Sequence, residues 1–449
     1  MTNIEIDTVL ERIQNALEQD DVNSAIAVLE TLRLPDQADV FTELDERQQI
    51  ALLPKMDPNL SADILEELED VEAAELVKAL PTKAAIRIVD QMEPDEAADL
   101  LGDIHHEQAR AILAGLENPE EVQPLLLHPD ESAGGLMTSE YLALRRRMTA
   151  GEAIEAIRQW KPGVDSIYFL FVVDGQGHLS GEVSLRQLIV ADPETRLDQI
   201  MDPNVISVKV GVDQEECARL MTRYDLLSLP VVNEGNILLG VITLDDVIDV
   251  IEDEATEDIQ RLGGAEPLEK PYLLTGISQI ARKRIGWLLL LFVTESLTGT
   301  VLRHFESELQ SVVALAFFVP LLIGTGGNAG SQTTSTIIRA LAVGDIDLTD
   351  ALLSLWHELR VGLLLGIGMA VVAYFRALMW GTTSGLAVTV ALTIMTIVIW
   401  ANTLGALLPT LAARFHIDPT VVSGPVMSTL VDATGLFIYF TVAHFILRI

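Results

Sequence analysis

Between residues 45 and 116 the apolar positions repeat every 12 residues. Six copies begin at Asp45, Asp57, Glu69, Pro81, Glu93 and His105. In each copy the eighth, ninth and twelfth positions are apolar, as in Leu52, Leu53, Met56 and then Ile64, Leu65, Leu68. The same columns hold Leu76, Val77, Leu80, then Ile88, Val89, Met92, then Leu100, Leu101, Ile104, and last Ile112, Leu113, Leu116. Apolar residues at i, i+1 and i+4 share one face of a helix. Asp57-Pro58, Pro81 and Glu93-Pro94 are helix-start signals at copy boundaries. Each copy predicts a short helix and a turn, and the stack predicts an all-α superhelical domain over residues 1–129.

From about Asp130 the pattern changes. Ser166 to Val173 and Leu229 to Val232 are β-like runs, each followed by a glycine turn, Asp174-Gly-Gln-Gly177 and Asn233-Glu-Gly235. Short strands follow at Ser180 to Val183 and Leu238 to Ile242. Helical patterns precede them at Ala150 to Trp160 and Gln214 to Tyr224. One helix–strand–strand–helix unit therefore occurs twice, which predicts a tandem α/β pair over residues 130–200 and 201–243. Leu244 to Leu262 reads as one acidic helix, and residues 244–270 as a connecting segment that ends in the Gly263-Gly264 linker.

After Pro271 five apolar segments follow, at about 285–303, 311–342, 354–380, 385–413 and 420–447. A span needs about 20 apolar residues, so residues 271–449 predict an α-helical membrane domain with five spans. Gly324-Thr-Gly-Gly-Asn-Ala-Gly330 interrupts the second segment and predicts a broken helix. Gly424-Pro425 predicts a kink in the last. Arg282, Lys283 and Arg284 at the mouth of the first span place the polar half in the cytoplasm. An odd number of spans in a plasma membrane then puts the C-terminus outside.

Charge sharpens the picture. From Pro271 onward nine basic and nine acidic side chains balance, so the net charge of −37 lies in residues 1–270. That acidity argues against nucleic acid as a partner. The single Cys217 excludes an intrachain disulfide framework and is expected in a core. The first residues lack a basic and an apolar signal-peptide region. No nucleophile–base constellation, P-loop or zinc motif is found, and His105-His106 reads as a surface pair. The chain is therefore expected not to be an enzyme.

Asp432 lies inside the last apolar stretch. A carboxylate at membrane depth is costly and usually faces a water-filled path or a partner. Its bland reading is a side chain satisfied by hydroxyls such as Ser428 or Thr434. Glu295 is a second intramembrane carboxylate, expected to be a structural partner of a basic or hydroxyl group. Asn328, Ser331, Gln332 and Thr333 either line a pore or tie helices together. In the acidic helix Asp246, Asp249, Asp253 and Glu257 recur on one face, where like charges repel unless cations intervene. Asp95 and Asp99 share a face in the fifth repeat copy, and Glu215 and Asp225 flank the helix of the second α/β unit.

The chain resembles the MgtE family of magnesium channels and transporters. The resemblance rests on the repeats, on Glu131-Ser-Ala-Gly-Gly-Leu-Met137 and on the tandem units, which look like two cystathionine-β-synthase (CBS) domains. It rests also on Gly326-Gly-Asn-Ala-Gly-Ser-Gln332 and on Asp418-Pro-Thr-Val-Val-Ser-Gly-Pro425 followed by Asp432. It implies a homodimer in the lipid bilayer and a Mg²⁺ uptake path through pore positions Asp432, Gly424, Ser428 and Asn328. It implies regulatory Mg²⁺ at Asp95, Asp99, Glu215, Asp225, Asp246, Asp249, Asp253, Glu257 and Asp258, which would close the pore when cytosolic Mg²⁺ is high. The alternative is a CBS-regulated secondary transporter of another divalent cation or a small solute.

ATP is a further ligand that the resemblance implies for some members, at positions matching Tyr168, Ser184, Arg186 and Pro203. Their Gly-x-x-Ser-x-x-acid pattern reads Gly181-Glu-Val-Ser184-Leu-Arg-Gln187 here, with Gln187 in place of the acid. The second unit keeps an acid, in Gly240-Val-Ile-Thr243-Leu-Asp-Asp246, but Asp246 is also a metal candidate.

Overall fold

The computed structural model describes residues 3–160, 169–268, 272–273 and 275–448. The chain divides into two compact units, Met1–Glu252 and Asp253–Ile449.

The first unit opens with ten helices: α1 (Asn3–Glu18), α2 (Val22–Leu29), α3 (Leu34–Thr42), α4 (Glu46–Leu52), α5 (Pro58–Glu66), α6 (Asp70–Ala79), α7 (Thr82–Val89), α8 (Pro94–Asp103), α9 (His106–Leu113) and α10 (Pro119–Val122). The helices α4 to α9 are the six repeat copies. Their N-caps are Asp45, Asp57, Glu69, Pro81, Glu93 and His105, the residues at which the copies begin. Asp45 and Gln48 form a reciprocal capping box. The repeat columns from Leu52 to Ile112 are buried, while Leu113 and Leu116 of the last copy are partly covered. Each helix packs on the one two places along, α3 on α5, α4 on α6, and so on to α7 on α9. No helix of eight residues holds its shape alone in water, so this shared apolar seam sustains the superhelix.

The tandem pair consists of β1 (Ala143–Arg145), α11 (Ala150–Trp160), β2 (Phe169–Val173), β3 (Leu179–Ser184), α12 (Leu185–Val190) and α13 (Leu197–Ile200), then β4 (Val208–Lys209), α14 (Gln214–Tyr224), β5 (Ser228–Val232) and β6 (Leu238–Thr243). The two sheets have the orders β1-β2-β3 and β4-β5-β6, with the first pairing of each parallel and the second antiparallel. The pairs β2–β3 and β5–β6 were legible from the β-like apolar runs and the glycine turns between them. The strands β1 and β4 have three and two residues, too few to show a period. The start of the predicted strand at Ser166 to Tyr168 lies outside the described residues. Cys217 is buried.

The acidic helix α15 (Leu244–Leu262) runs unbroken as expected. It stops at Gly264, whose φ of +73° supplies the left-handed residue that closes a helix end.

The second unit holds α16 (Ile277–His304), α17 (Glu306–Ser311), α18 (Val319–Ala342), α19 (Ala351–Met379), α20 (Ser384–Arg414) and α21 (Gly424–Leu447). Five of its segments are long and apolar enough to cross a membrane. Two expectations are corrected. Gly324 to Gly330 does not break the second span, because α18 is continuous through it and the irregular 3-10 turn lies earlier, at Val313–Phe318. In an apolar setting no water competes for the helix backbone, and the missing side chains are replaced by those of neighbouring helices. Gly424-Pro425 does not kink the last span. It starts it, since Pro425 falls in the first turn, where the absent N–H has no partner to lose.

Candidate functional site

Gly424, Ser428 and Asp432 follow one another at four-residue steps on α21, so they form one stripe with about 6 Å between steps. The wall beside it is α18. A Cβ placed on Gly326 would come within 2.7 Å of Val431 Cγ1, on Gly327 within 3.0 Å of Ser428 Oγ, and on Gly330 within 2.8 Å of Met427 Cε. The glycine cluster thus brings the α18 backbone against the residues that flank Asp432 and Ser428. Ser331 Oγ donates to the Gly424 carbonyl at 3.2 Å, tying the two helices. Asn328 is exposed beside Gly327, and Gln332 is exposed one turn later.

Thr333 has a different partner. Its Oγ1 donates to Glu358 Oε2 of α19 at 3.3 Å, and Asn402 Nδ2 of α20 donates to the same oxygen at 3.2 Å. Sequence reasoning missed Glu358, although a carboxylate within the apolar run 354–380 was the signal. The partner expected for Glu295 is corrected. Among the described residues no hydrogen bond or ion pair reaches it, and the neighbouring charge is that of Asp432, another carboxylate.

The first unit gathers a second set of carboxylates. Asp95 on α8 is 5% exposed, and its Oδ1 has no hydrogen-bond partner. Burial raises its pKa well above the ordinary carboxylate value, and the charges of Asp246 and Glu93 add to the rise, against an opposing hydrogen bond with Thr138. Burial likewise pushes Glu96 up to about 9, with Asp95 and Asp70 contributing. Asp99 rises to about 8, first by burial and then by Asp130, Asp70 and Asp103. Asp246 rises to about 6 by burial, even though Thr243 donates both its hydroxyl and its backbone N–H to it. Asp249 bears on Glu67 of the repeat domain. Of these groups, Asp95, Asp99, Asp246 and Asp249 are among the expected metal positions, while Glu96 and Thr138 were not named from the sequence, since their places depend on how α8 meets the tandem pair.

Among the described residues no three His, Cys, Asp or Glu side chains form a ready cage for a metal. The donor set suits a hard cation that keeps its water. Mg²⁺ dehydrates reluctantly and is usually held through one or two carboxylates. An orphaned buried carboxylate oxygen amid like charges is the kind of group that such an ion satisfies.

The other expected metal positions lie apart in the chain. Glu215 is in the first turn of α14, and Asp225 closes that helix in a left-handed conformation. Asp253, Glu257 and Asp258 belong to the second unit. There Arg261 pairs with Glu257 and with Asp418 of the loop before α21. Asp258 is raised by burial and by Asp418.

Tyr168 lies outside the described residues. Ser184 caps α12, and Gln187 completes a capping box with it. The Gln187 amide also donates to the Ile200 carbonyl at 3.0 Å. Gln187 therefore has a structural task where the nucleotide-binding pattern has an acid. Arg186 lies in α12 two residues after Ser184, and Pro203 follows Asp202, which bridges to Glu182.

The chain is 45% identical over 328 residues, 73% of each protein, to the magnesium transporter MgtE of Thermus thermophilus. It belongs to the MgtE family. The MgtE intracellular N domain matches residues 32–131, CBS domains match 133–194 and 197–253, and the MgtE divalent cation transporter domain matches 319–442. The soluble part of a magnesium transporter superposes with a TM-score of 0.50 at 32% identity, covering 56% of this chain and 99% of that one. The cytosolic domain of the Mg²⁺ channel MgtE, solved in complex with ATP, gives 0.51 at 37% identity, covering 54% and 99%. This MgtE-family chain thus carries a helical N-terminal domain, a CBS pair and five apolar membrane helices.

Proposed function

We propose that this chain is a homodimeric Mg²⁺ channel of the plasma membrane, closed by cytosolic Mg²⁺ bound at its acidic domains. The observation that carries the reading is Asp432, on one stripe with Ser428 and Gly424 and beside Glu295, with no basic partner for either carboxylate among the described residues. Two copies of such a stripe about a two-fold axis supply charge to a hydrated Mg²⁺ through its waters. The helix α16 stands almost uncovered within one chain, which suits lipid or a second copy. Arg282, Lys283 and Arg284 lie near the start of α16, and Arg339 and Arg414 lie in the last turns of α18 and α20, which favours a cytoplasmic location for those ends and an outside C-terminus.

In the sensor, Asp95, Asp99, Asp246 and Asp249 on α8 and α15 repel one another when no cation is present. The domain borders at 129, 200, 243 and 270 divide sensor, connecting helix and pore. Bound Mg²⁺ offsets the repulsion and favours the closed arrangement, which is ordinary linkage. The carboxylates hold the ion and exclude competing arrangements of the two helices; the ion supplies the missing positive charge.

The test is Mg²⁺ flux in proteoliposomes against Mg²⁺ on the soluble-domain side, for the wild type and for the variant with Asp95, Asp99, Asp246 and Asp249 all changed to Asn. The variant is expected to conduct with a flattened response. An unchanged inhibition curve places the sensor elsewhere, and a strict dependence on H⁺ or Na⁺ makes the protein a coupled carrier.

A further inference from the structure

We propose that Glu358 is a positioning residue for the ion path: by accepting from Thr333 and Asn402 it fixes the register of α18 on α20 and, through α18, the place of Asp432. The proposal rests on the reading of Asp432 as the ion ligand.

Glu358 lies seven residues into α19, about 10 Å from its start. One of its oxygens, Oε2, receives both hydrogen bonds, one from α18 and one from α20. Such a carboxylate, in a span and held by neutral donors, is costly to keep and signals a demand that an apolar contact does not meet. Asn402 shows the same demand. It is 2% exposed, and its Oδ1 has no partner. Turning the amide over would set that oxygen against the carboxylate, so the residue is held for its N–H donor at the expense of an orphaned acceptor.

The junction transmits position because its backbones nearly touch. A Cβ on Gly362, one turn after Glu358, would stand 3.1 Å from Asn402 Cβ. A Cβ on Gly405 would stand 2.8 Å from the Gly330 carbonyl oxygen and 2.9 Å from Thr333 Cβ. Gly330 in turn meets Met427 and Val431 of α21. Thr333 is thus one turn from the residue that seats α21, and Val431 precedes Asp432. A slip of α18 at Thr333 moves the wall on which the Asp432 stripe rests. Close packing turns such a slip into a discrete rearrangement rather than a smooth one.

The test compares Glu358→Ala, Glu358→Gln, Thr333→Val and Asp432→Ala in the full chain, reconstituted in proteoliposomes, with Mg²⁺ and Ca²⁺ fluxes measured separately. Glutamine keeps an acceptor oxygen at the same reach, so Glu358→Gln is expected to match the wild type in both. Glu358→Ala and Thr333→Val are expected to lower the ratio of Mg²⁺ to Ca²⁺ flux about ten-fold, the scale of one hydrogen bond to a charged group. Thr333→Val is nearly isosteric and keeps the test decisive where the alanine variant fails to fold. Wild-type selectivity in Thr333→Val, with Asp432→Ala inactive, overturns the positioning role alone. Glu358→Gln as defective as Glu358→Ala also overturns it, because the charge itself is then required. Normal flux in Asp432→Ala overturns the underlying reading of Asp432 instead.

Discussion

At the scale of single residues, the membrane unit is built where side chains are missing. Gly405 faces backbone, the Gly330 carbonyl oxygen at 2.8 Å from where a Cβ would stand, and backbone cannot rotate aside. Gly368, in the interior of α19, has nothing within 4 Å of the same position. Gly405→Ala is therefore expected to destabilise the detergent-solubilised protein by about 1–3 kcal/mol. Gly368→Ala is expected to be neutral or mildly stabilising through its helix propensity. Equal melting temperatures for the two variants would refute the close approach of α18 and α20. In the CBS pair, Gln187 occupies the position of the acid that meets the ribose in the nucleotide-binding pattern. Gln187→Asp restores that acid, and calorimetry is expected to read a higher ATP affinity for the variant than for the wild type, whether or not the wild type binds; no change would remove this turn from nucleotide recognition.

At the scale of elements, α8 and α15 carry carboxylates whose pKa values are raised to about 9 for Glu96, about 8 for Asp99 and about 6 for Asp246. In the unfolded chain such groups titrate near 4. Between those values the folded form binds more protons than the unfolded one, so it gains stability as pH falls and loses it as pH rises through 6 to 9. In chelator, the melting midpoint of the cytosolic domains by circular dichroism is expected to climb as pH is lowered from 9 to 5. Saturating Mg²⁺ is expected to raise the midpoint at pH 8 to 9 and flatten that slope, because the ion replaces the proton. A midpoint that falls on acidification would show that other groups dominate. The repeat helices rest on shared apolar columns rather than on propensity. Truncating the fully buried Leu65 to Ala is expected to cost about 2–5 kcal/mol, read as a lower midpoint of the same transition.

At the scale of the whole molecule, an acidic half of net charge −37 precedes a charge-balanced membrane half. Mg²⁺ at millimolar levels is expected to protect the segments around Asp130 and Gly263 from protease, while K⁺ at equal ionic strength does not. Equal protection by both ions would mean simple screening.

The sequence by itself determined whatever repeats or endures along the chain. The 12-residue period placed the helix starts of α4 to α9, and α15 ran as read, because capping and apolar spacing are local effects. The stretches that became membrane helices were legible for the same reason, since a span is one long uninterrupted signal. Asp432 stood out because a charge among apolar neighbours is conspicuous in one dimension, and Asp246 because like charges recur on its helix face, whereas Asp95 was named as a metal position only through the family resemblance. Local reasoning failed where a neighbour decides. Gly324 to Gly330 reads as a break, yet α21 fills the space and the helix continues. The strands β1 and β4 exist because β2 and β5 offer them edges. Glu358, Thr333 and Asn402 lie on three separate helices, 25 and 44 residues from one another, and only their packing joins them. Which carboxylates face each other, and which backbone can approach which, is set by contacts that linear order does not contain.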